Sequence, residues 1–200
     1  MIETVLGLLR HGQTDWNIDF RLQGVTDTQL NETGIAQAKD AAAAINPAHW
    51  DTVITSPLIR AKDTADIVAD KNKFEMPVVE PLLIERSFGE AEGLMHEEWV
   101  ATYSNTNEVP GGESLVALEQ RANLLLSTLA TNYRGKRVIA VSHGALIRVL
   151  LRIVSEGELP RDGERLGNAC LNVLVHDEQK WHIRSYEPRT LHLDLLKEQI

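Results

Sequence analysis

The sequence predicts an α/β fold: a three-layer α/β/α sandwich, doubly wound about a mostly parallel central sheet. Two observations carry this. Short apolar runs alternate with patterns of helical period along most of the chain, the order that builds a parallel sheet with crossover helices. Two of those runs, "LLRHG" and "AVSHG", end alike. Each places a histidine and a glycine where open α/β sheets present their ligand-binding residues.

The elements follow in order. Thr4 to Leu9 reads as a buried strand. Asn31 can cap the next helix, whose apolar positions Ile35, Ala38, Ala42 and Ile45 keep a helical period until Asn46-Pro47 stops it. Thr52 to Thr55 is a short β-branched strand. Ser56 is placed as the N-cap of the following helix, with Pro57 at its first position and Leu58, Ala61, Ala65 and Val68 as its buried stripe. "PVVEPLLIE" is extended and leads into Glu85. Residues 86–113 are irregular, with one short helix near His96 to Tyr103. They read as an active-site insertion, so residues 1–200 are expected to form one domain. Ser114 to Thr131 is a long amphipathic helix with Leu115, Leu118, Ala122, Leu125 and Leu129 inward. "GKRVIAVSHG" supplies a second polar-ended strand, and Ala145 to Val154 an apolar helix. "NACLNVLVHDEQKWHIRSYEP" reads as a hairpin turning near Asp177 to Gln179. The tail "TLHLDLLKEQI" reads as a final helix or a frayed end.

Composition narrows the function. The formal net charge of −9 argues against nucleic acid or an anionic membrane as a partner. An anionic ligand would then need positive charge concentrated in one place. The single cysteine, Cys170, allows no intrachain disulfide and no Cys-rich metal site, which suits a reducing cytosol. No basic, apolar leader opens the chain, and no run approaches the ~18–20 apolar residues of a membrane span. The expectation is a cytoplasmic protein, with oligomeric state open, a homodimer included.

Both His-Gly dipeptides sit at predicted strand ends, where glycine allows a sharp turn and close approach to a ligand. Arg10 adjoins His11, Arg60 lies early in the helix after "TVITS", and Arg86 follows Glu85. Arginine offers a planar, permanently charged fork matched to phosphate oxygens. Helices opening at Ser56 and Gly144 could add oriented N–H groups. Glu85 ends an apolar run, and a shielded carboxyl beside a dianion suits general acid catalysis. These parts support phosphoryl transfer to a histidine, with cationic donors on the equatorial oxygens and no metal or other cofactor.

With "LLRHGQTDWN", "SPLIRAKDTA", "LIERSFGEAEG", "PGGES" and "VSHGALIR" in order, the chain resembles the histidine phosphatase superfamily, in its phosphoglycerate mutase-like branch, from Leu8 to about Arg148. The resemblance implies that branch's fold. It implies a core of Arg10, His11, Arg60 and His143, with His11 the nucleophile and Glu85 the proton donor and acceptor. Gly12, Gln13, Thr14 and Asn17 would line the phosphate pocket, Gln23 and Gly24 match a "QG" contact, and Gly144 and Ala145 would reach phosphate through backbone N–H groups.

Membership leaves phosphatase and mutase open. The mutase subfamily carries Lys and paired Arg on a longer insertion after the acid, whereas Glu92 to Ser114 holds neither residue type. The expected function is therefore a metal-independent phosphatase acting on a small phosphorylated metabolite, with Arg86 the main remaining basic contact. A cofactor-dependent mutase and a non-catalytic phospho-ligand binder are the alternatives. Of the remaining aromatic and histidine residues, Trp16 is expected as a pocket wall and His96 as a cover. Glu90, Glu92, Glu97 and Glu98 read as loop or solvated residues.

Overall fold

The computed structural model describes residues 2–191. In chain order the elements are β1 (Thr4–Arg10), α1 (Asp15–Ile18), α2 (Glu32–Ala44), β2 (Thr52–Thr55), α3 (Ile59–Asn72), β3 (Val78–Val79), α4 (His96–Thr102), α5 (Leu115–Asn132), β4 (Arg137–Ser142), α6 (Gly144–Val154), β5 (Leu171–His176) and β6 (Trp181–Ser185). The strands form one sheet in the order β3-β2-β4-β1-β5-β6. Neighbours from β3 to β1 are parallel, and β5 and β6 add an antiparallel edge. The expectation for the tail falls mostly on residues 192–200, outside the described residues.

Strand alternation builds three layers. Leu6 and Leu8 of β1, Ile54 of β2 and Val138 and Ala140 of β4 face α5 and α6. Leu9, Val53, Ile139 and Val141 face the other way, onto α2 and α3. The second face is alanine-rich: Ala41, Ala42, Ala61, Ala65 and Ala69 let α2 and α3 lie close to the sheet and to each other. Cys170 is fully buried, and burial pushes its thiol up to about 11, so it behaves as a small apolar residue.

Three local expectations are corrected. The α3 helix opens at Ile59 with Leu58 as N-cap, because the Ser56 side chain is engaged elsewhere and Asp27 accepts the Ile59 N–H (2.7 Å). Leu115 stands at the first position of α5, beyond the packed layer, and is 43% exposed; the buried stripe begins at Leu118. On α2 the buried positions are Gly34, Ala38, Ala41 and Ala42, and Ile35 is exposed.

Gly34 is buried for a reason that bears on the site. A Cβ on Gly12 would fall 2.3 Å from the Gly34 carbonyl oxygen, and one on Gly34 would fall 2.0 Å from the Gln13 carbonyl oxygen. The segment after His11 thus lies directly on the first turn of α2. Gly12 serves this close approach and not a left-handed turn, since its φ lies outside the positive region.

Candidate active site

Sheet register brings the two histidines together. The parallel pairing of β1 with β4 sets Arg10 opposite Ser142, so the next residues, His11 and His143, leave the carboxyl edge side by side. Their ring centroids are 5.2 Å apart. Parallel β2 ends one register step away, and Ser56, just beyond it, places Oγ 2.7 Å from His143 Nε2. Arg60 comes from the first turn of α3. Glu85 follows the turn Pro81–Leu83, whose Leu83 carbonyl is held by Ser142 Oγ (2.8 Å). Five residues spread over 134 positions of sequence thereby meet at one end of the sheet.

Three buried side-chain donors in this cluster lack a hydrogen-bond partner: Arg10 Nε, Arg60 Nε and His143 Nδ1. Among the described residues they are the complete set of such atoms. Orphaned buried donors are costly and rare, and three gathered around one histidine form a receptor for an anion. Other donors of both guanidinium groups anchor them. Arg10 Nη1 donates to the Leu166 carbonyl, and Arg60 donates to the carbonyls of Thr26 (2.9 Å) and Gly24 (2.7 Å). Gly144 has no side chain to displace Arg10; a Cβ there would lie 3.4 Å from Arg10 Nε.

The histidines are held neutral. Burial pushes His11 well below the usual imidazole range, and the charges of Arg10 and Arg60 push it further. His143 is lowered likewise, by burial first and then by Arg60, His11 and Arg10. His11 Nδ1 lies 2.6 Å from the Gly12 carbonyl, which only accepts, so Nδ1 carries the proton and Nε2 a free lone pair. Leu58 N–H donates to Ser56 Oγ (3.3 Å), leaving the Ser56 hydroxyl proton to point at His143 Nε2. That tautomer keeps an N–H on the orphaned Nδ1.

This has a consequence for stability. The unfolded imidazoles take up protons as pH falls through about 6.5, while the buried pair resists until lower pH. The stability contributed by neutral burial is full above that value and is lost as pH falls below it. The urea midpoint is expected to drop between pH 7.5 and pH 5, and to drop less in the His11→Asn variant. An equal drop in both would show that His11 does not drive it.

The histidine phosphatase superfamily (branch 1) family model matches residues 6–188. The chain belongs to that superfamily. Among curated relatives, the chain is 40% identical over 184 residues to an uncharacterized phosphatase, PhoE, of Bacillus subtilis (strain 168), covering 92% of this chain and 94% of the relative. A metal-independent phosphoserine phosphatase of Arabidopsis thaliana is 36% identical over 196 residues, covering 92% and 81%. The solved mycobacterial glucosyl-3-phosphoglycerate phosphatase in complex with VO3 superposes with a TM-score of 0.78 at 30% identity, covering 91% of this chain and 98% of that one.

In this histidine phosphatase superfamily member, several residues expected at the phosphate are committed to the scaffold. Gln13 is tied to α2 through Gln37 (2.9 Å) and Asn31 (3.3 Å). Buried Thr14 caps α1 and donates to Gln23 Oε1 (3.0 Å), while Asn17 completes the cap. The Gly24 carbonyl holds Arg60. Both helix ends expected to face ligand carry the chain's own carboxylates instead. Asp27 takes Ile59 N–H, and Glu85 takes Ala145 N–H (3.0 Å) on Oε2 and Leu146 N–H (3.1 Å) on Oε1. Arg86 is engaged within its own segment. Its guanidinium bonds the Glu113 carbonyl (2.8 Å), Thr106 and Asn107 (2.8 Å), and lies over the Phe88 ring, so it staples the 86–113 segment.

Sequence reasoning missed the supports. Asn168 Nδ2 bonds the His11 carbonyl (3.2 Å) and Asn17 Oδ1 (3.1 Å), and Thr64 Oγ1 accepts Gly12 N–H (3.1 Å). Arg121 grips the carbonyls of Leu82, Ile84 and Glu85 and the Glu113 carboxylate, fixing the strand that presents Glu85. Glu92, read as a loop residue, ties Val25, Thr26 and Phe88 together. None of these carries a local pattern that marks it.

Arg10, Asn17, Gly144 and Ala145 line a cleft of about 890 Å³, with Trp16 and His96 also in its lining as expected. His11, Arg60, Glu85 and His143 are not in that lining; their neighbours Arg10 and Gly144 are. Arg21, Arg148 and Arg165 also line the cleft. Positive charge therefore reaches it from outside residues 92–114, and the charge count of that segment does not by itself separate phosphatase from mutase. Among the described residues, no group of three or more His, Cys, Asp or Glu is arranged to hold a metal ion, and no helix is long and apolar enough to cross a membrane.

Proposed function

We propose that the chain hydrolyses phosphomonoesters of small metabolites through a phosphohistidine on His11. The carrying observation is the set of orphaned donors on Arg10, Arg60 and His143 around a neutral imidazole whose Nε2 lone pair is free. The phosphoryl oxygens take those three donors. His11 Nε2 forms a bond to phosphorus as the ester oxygen leaves in line. The charge that spreads over the equatorial oxygens meets fixed positive groups in a site shielded from water, so this step draws on no metal.

Glu85 supplies the proton. Its Oε1 accepts two backbone N–H bonds, from Arg86 (2.9 Å) and Leu146 (3.1 Å), whereas Oε2 accepts one, from Ala145 (3.0 Å). A carboxylate oxygen has about two lone-pair directions, so Oε2 keeps one for a proton. The protonated acid gives that proton to the departing alkoxide. The resulting carboxylate then takes one from the water that attacks phosphohistidine, which restores His11 and releases inorganic phosphate. The phosphatase-named relatives support hydrolysis over transfer back to substrate.

The test is phosphate release from phenyl phosphate by protein treated with a chelator. Sustained turnover, with an acid-labile phosphoryl label on the quenched protein, is the expected result. Turnover abolished by chelation and restored by a metal would overturn the metal-free reading. Binding without turnover would favour a phospho-ligand binder. Rapid interconversion of 2- and 3-phosphoglycerate in the presence of 2,3-bisphosphoglycerate, with little phosphate release, would favour a mutase.

A further inference from the structure

We propose that the cleft outside the phosphoryl site binds a second anionic group of the substrate, a carboxylate or another phosphate, and that Arg165, together with Arg148, reads it. The proposal rests on the hydrolase reading above and names the substrate class: short phosphoesters whose leaving group is itself acidic.

The chain is strongly acidic, yet this cleft collects arginines from separate elements. Its acidic lining is slight. Asp19 is paired with Arg21 (3.4 Å), whose Nη1 also donates to the Gly93 carbonyl (2.7 Å), so that pair is self-contained. Glu97 is exposed at the rim. Arg10, Arg148 and Arg165 are left to set the local field.

Arg148 lies four residues beyond Gly144 on α6, one helical turn or about 6 Å along the axis from the point where Arg10 rests. Its Nη2 donates to the Glu164 carbonyl (2.6 Å), while Arg10 Nη1 donates to the Leu166 carbonyl. Two site arginines thus pin the backbone on either side of Arg165. The Arg165 guanidinium is itself stacked over the Phe20 ring, 5.3 Å from its centroid, and among the described residues no hydrogen bond or ion pair engages it. Contact with the ring face restrains the guanidinium and leaves its N–H groups available.

Phe20 forms the other half of this pair. It is 60% exposed, and its φ of 54° is in the left-handed region, which a bulky side chain rarely adopts. That conformation closes α1, where Phe20 N–H bonds the Asn17 carbonyl (3.4 Å) and Arg21 N–H the Trp16 carbonyl (2.9 Å), and it leaves the ring in solvent. It holds a platform under Arg165. The result is one cleft that holds Arg10 of the phosphoryl receptor, Arg148, and Arg165 supported on Phe20.

The experiment compares matched substrates. Phosphoserine and phosphoethanolamine differ by one carboxylate, and fructose 1,6-bisphosphate and fructose 6-phosphate by one phosphate. The wild-type kcat/KM is expected to favour the more acidic member of at least one pair by about tenfold or more, and the pair that shows it identifies the second anion. In Arg165→Gln that preference is expected to shrink about tenfold, mainly through KM, because a remote contact acts alike on ground and transition states. Arg165 is exposed and bonds no other part of the fold, so the variant is expected to melt as wild type does. Equal kcat/KM within both pairs, or a preference untouched by Arg165→Gln, overturns the proposal. If those results come with brisk hydrolysis of phenyl phosphate, the hydrolase reading stands. No hydrolysis of any ester, and no phosphoryl label, overturns both.

Discussion

His11→Ala is expected to lower kcat/KM for phenyl phosphate by about three to six orders of magnitude, the scale on which a lost covalent nucleophile is felt. No neighbour can replace it. His143 is the nearest imidazole, but its Nε2 is engaged by Ser56 and its Nδ1 carries the proton that an anion would accept. The acid-labile phosphoryl label should disappear with the activity. Inorganic phosphate should still bind, because Arg10, Arg60 and His143 remain, and that binding separates loss of the nucleophile from loss of the fold. A variant with a retained label, or within tenfold of wild-type rate, would remove His11 from the mechanism.

Glu85→Gln tests the proton. The neutral amide can occupy the same space but has no proton to give an alkoxide. Losses of about 10²–10⁴ are expected on alkyl phosphates, the usual range for a positioned general acid. On 4-nitrophenyl phosphate, whose phenolate leaves without help, the loss of the first step should be less than about tenfold. A steeper dependence of rate on leaving-group pKa is the signature. The amide also puts an NH2 group in place of one of the two oxygens that accept backbone N–H groups from Arg86, Ala145 and Leu146, so some loss of stability is expected at the start of α6. A melting curve measures that part, and it would not depend on the leaving group. Equal losses across the whole ester series would assign Glu85 to capping α6 alone.

Much of the fold was legible locally. Short apolar runs gave β1, β2 and β4, the Asn31 cap gave the start of α2, and the spacing from Leu118 to Leu129 gave the buried face of α5. The errors came where a side chain has a remote partner. Ser56 looks like an N-cap because it precedes proline, but it is bonded to a histidine 87 positions away. Nothing local to Arg86 shows that its guanidinium bonds a segment that folds back upon it. Helix ends look free in a sequence, and two of them are filled by Asp27 and Glu85.

The sequence by itself determined the chemistry of the site: two histidines at strand ends, the arginines that can hold an anion, and an acid at the end of an apolar run. Those are properties of residue type and local pattern. The tertiary structure decided which nitrogen of each histidine is free, which arginine edges are left unpartnered, and that Arg148 and Arg165 share a cleft with Arg10. These depend on sheet register and on contacts between distant segments. Local periodicity carries no information about either.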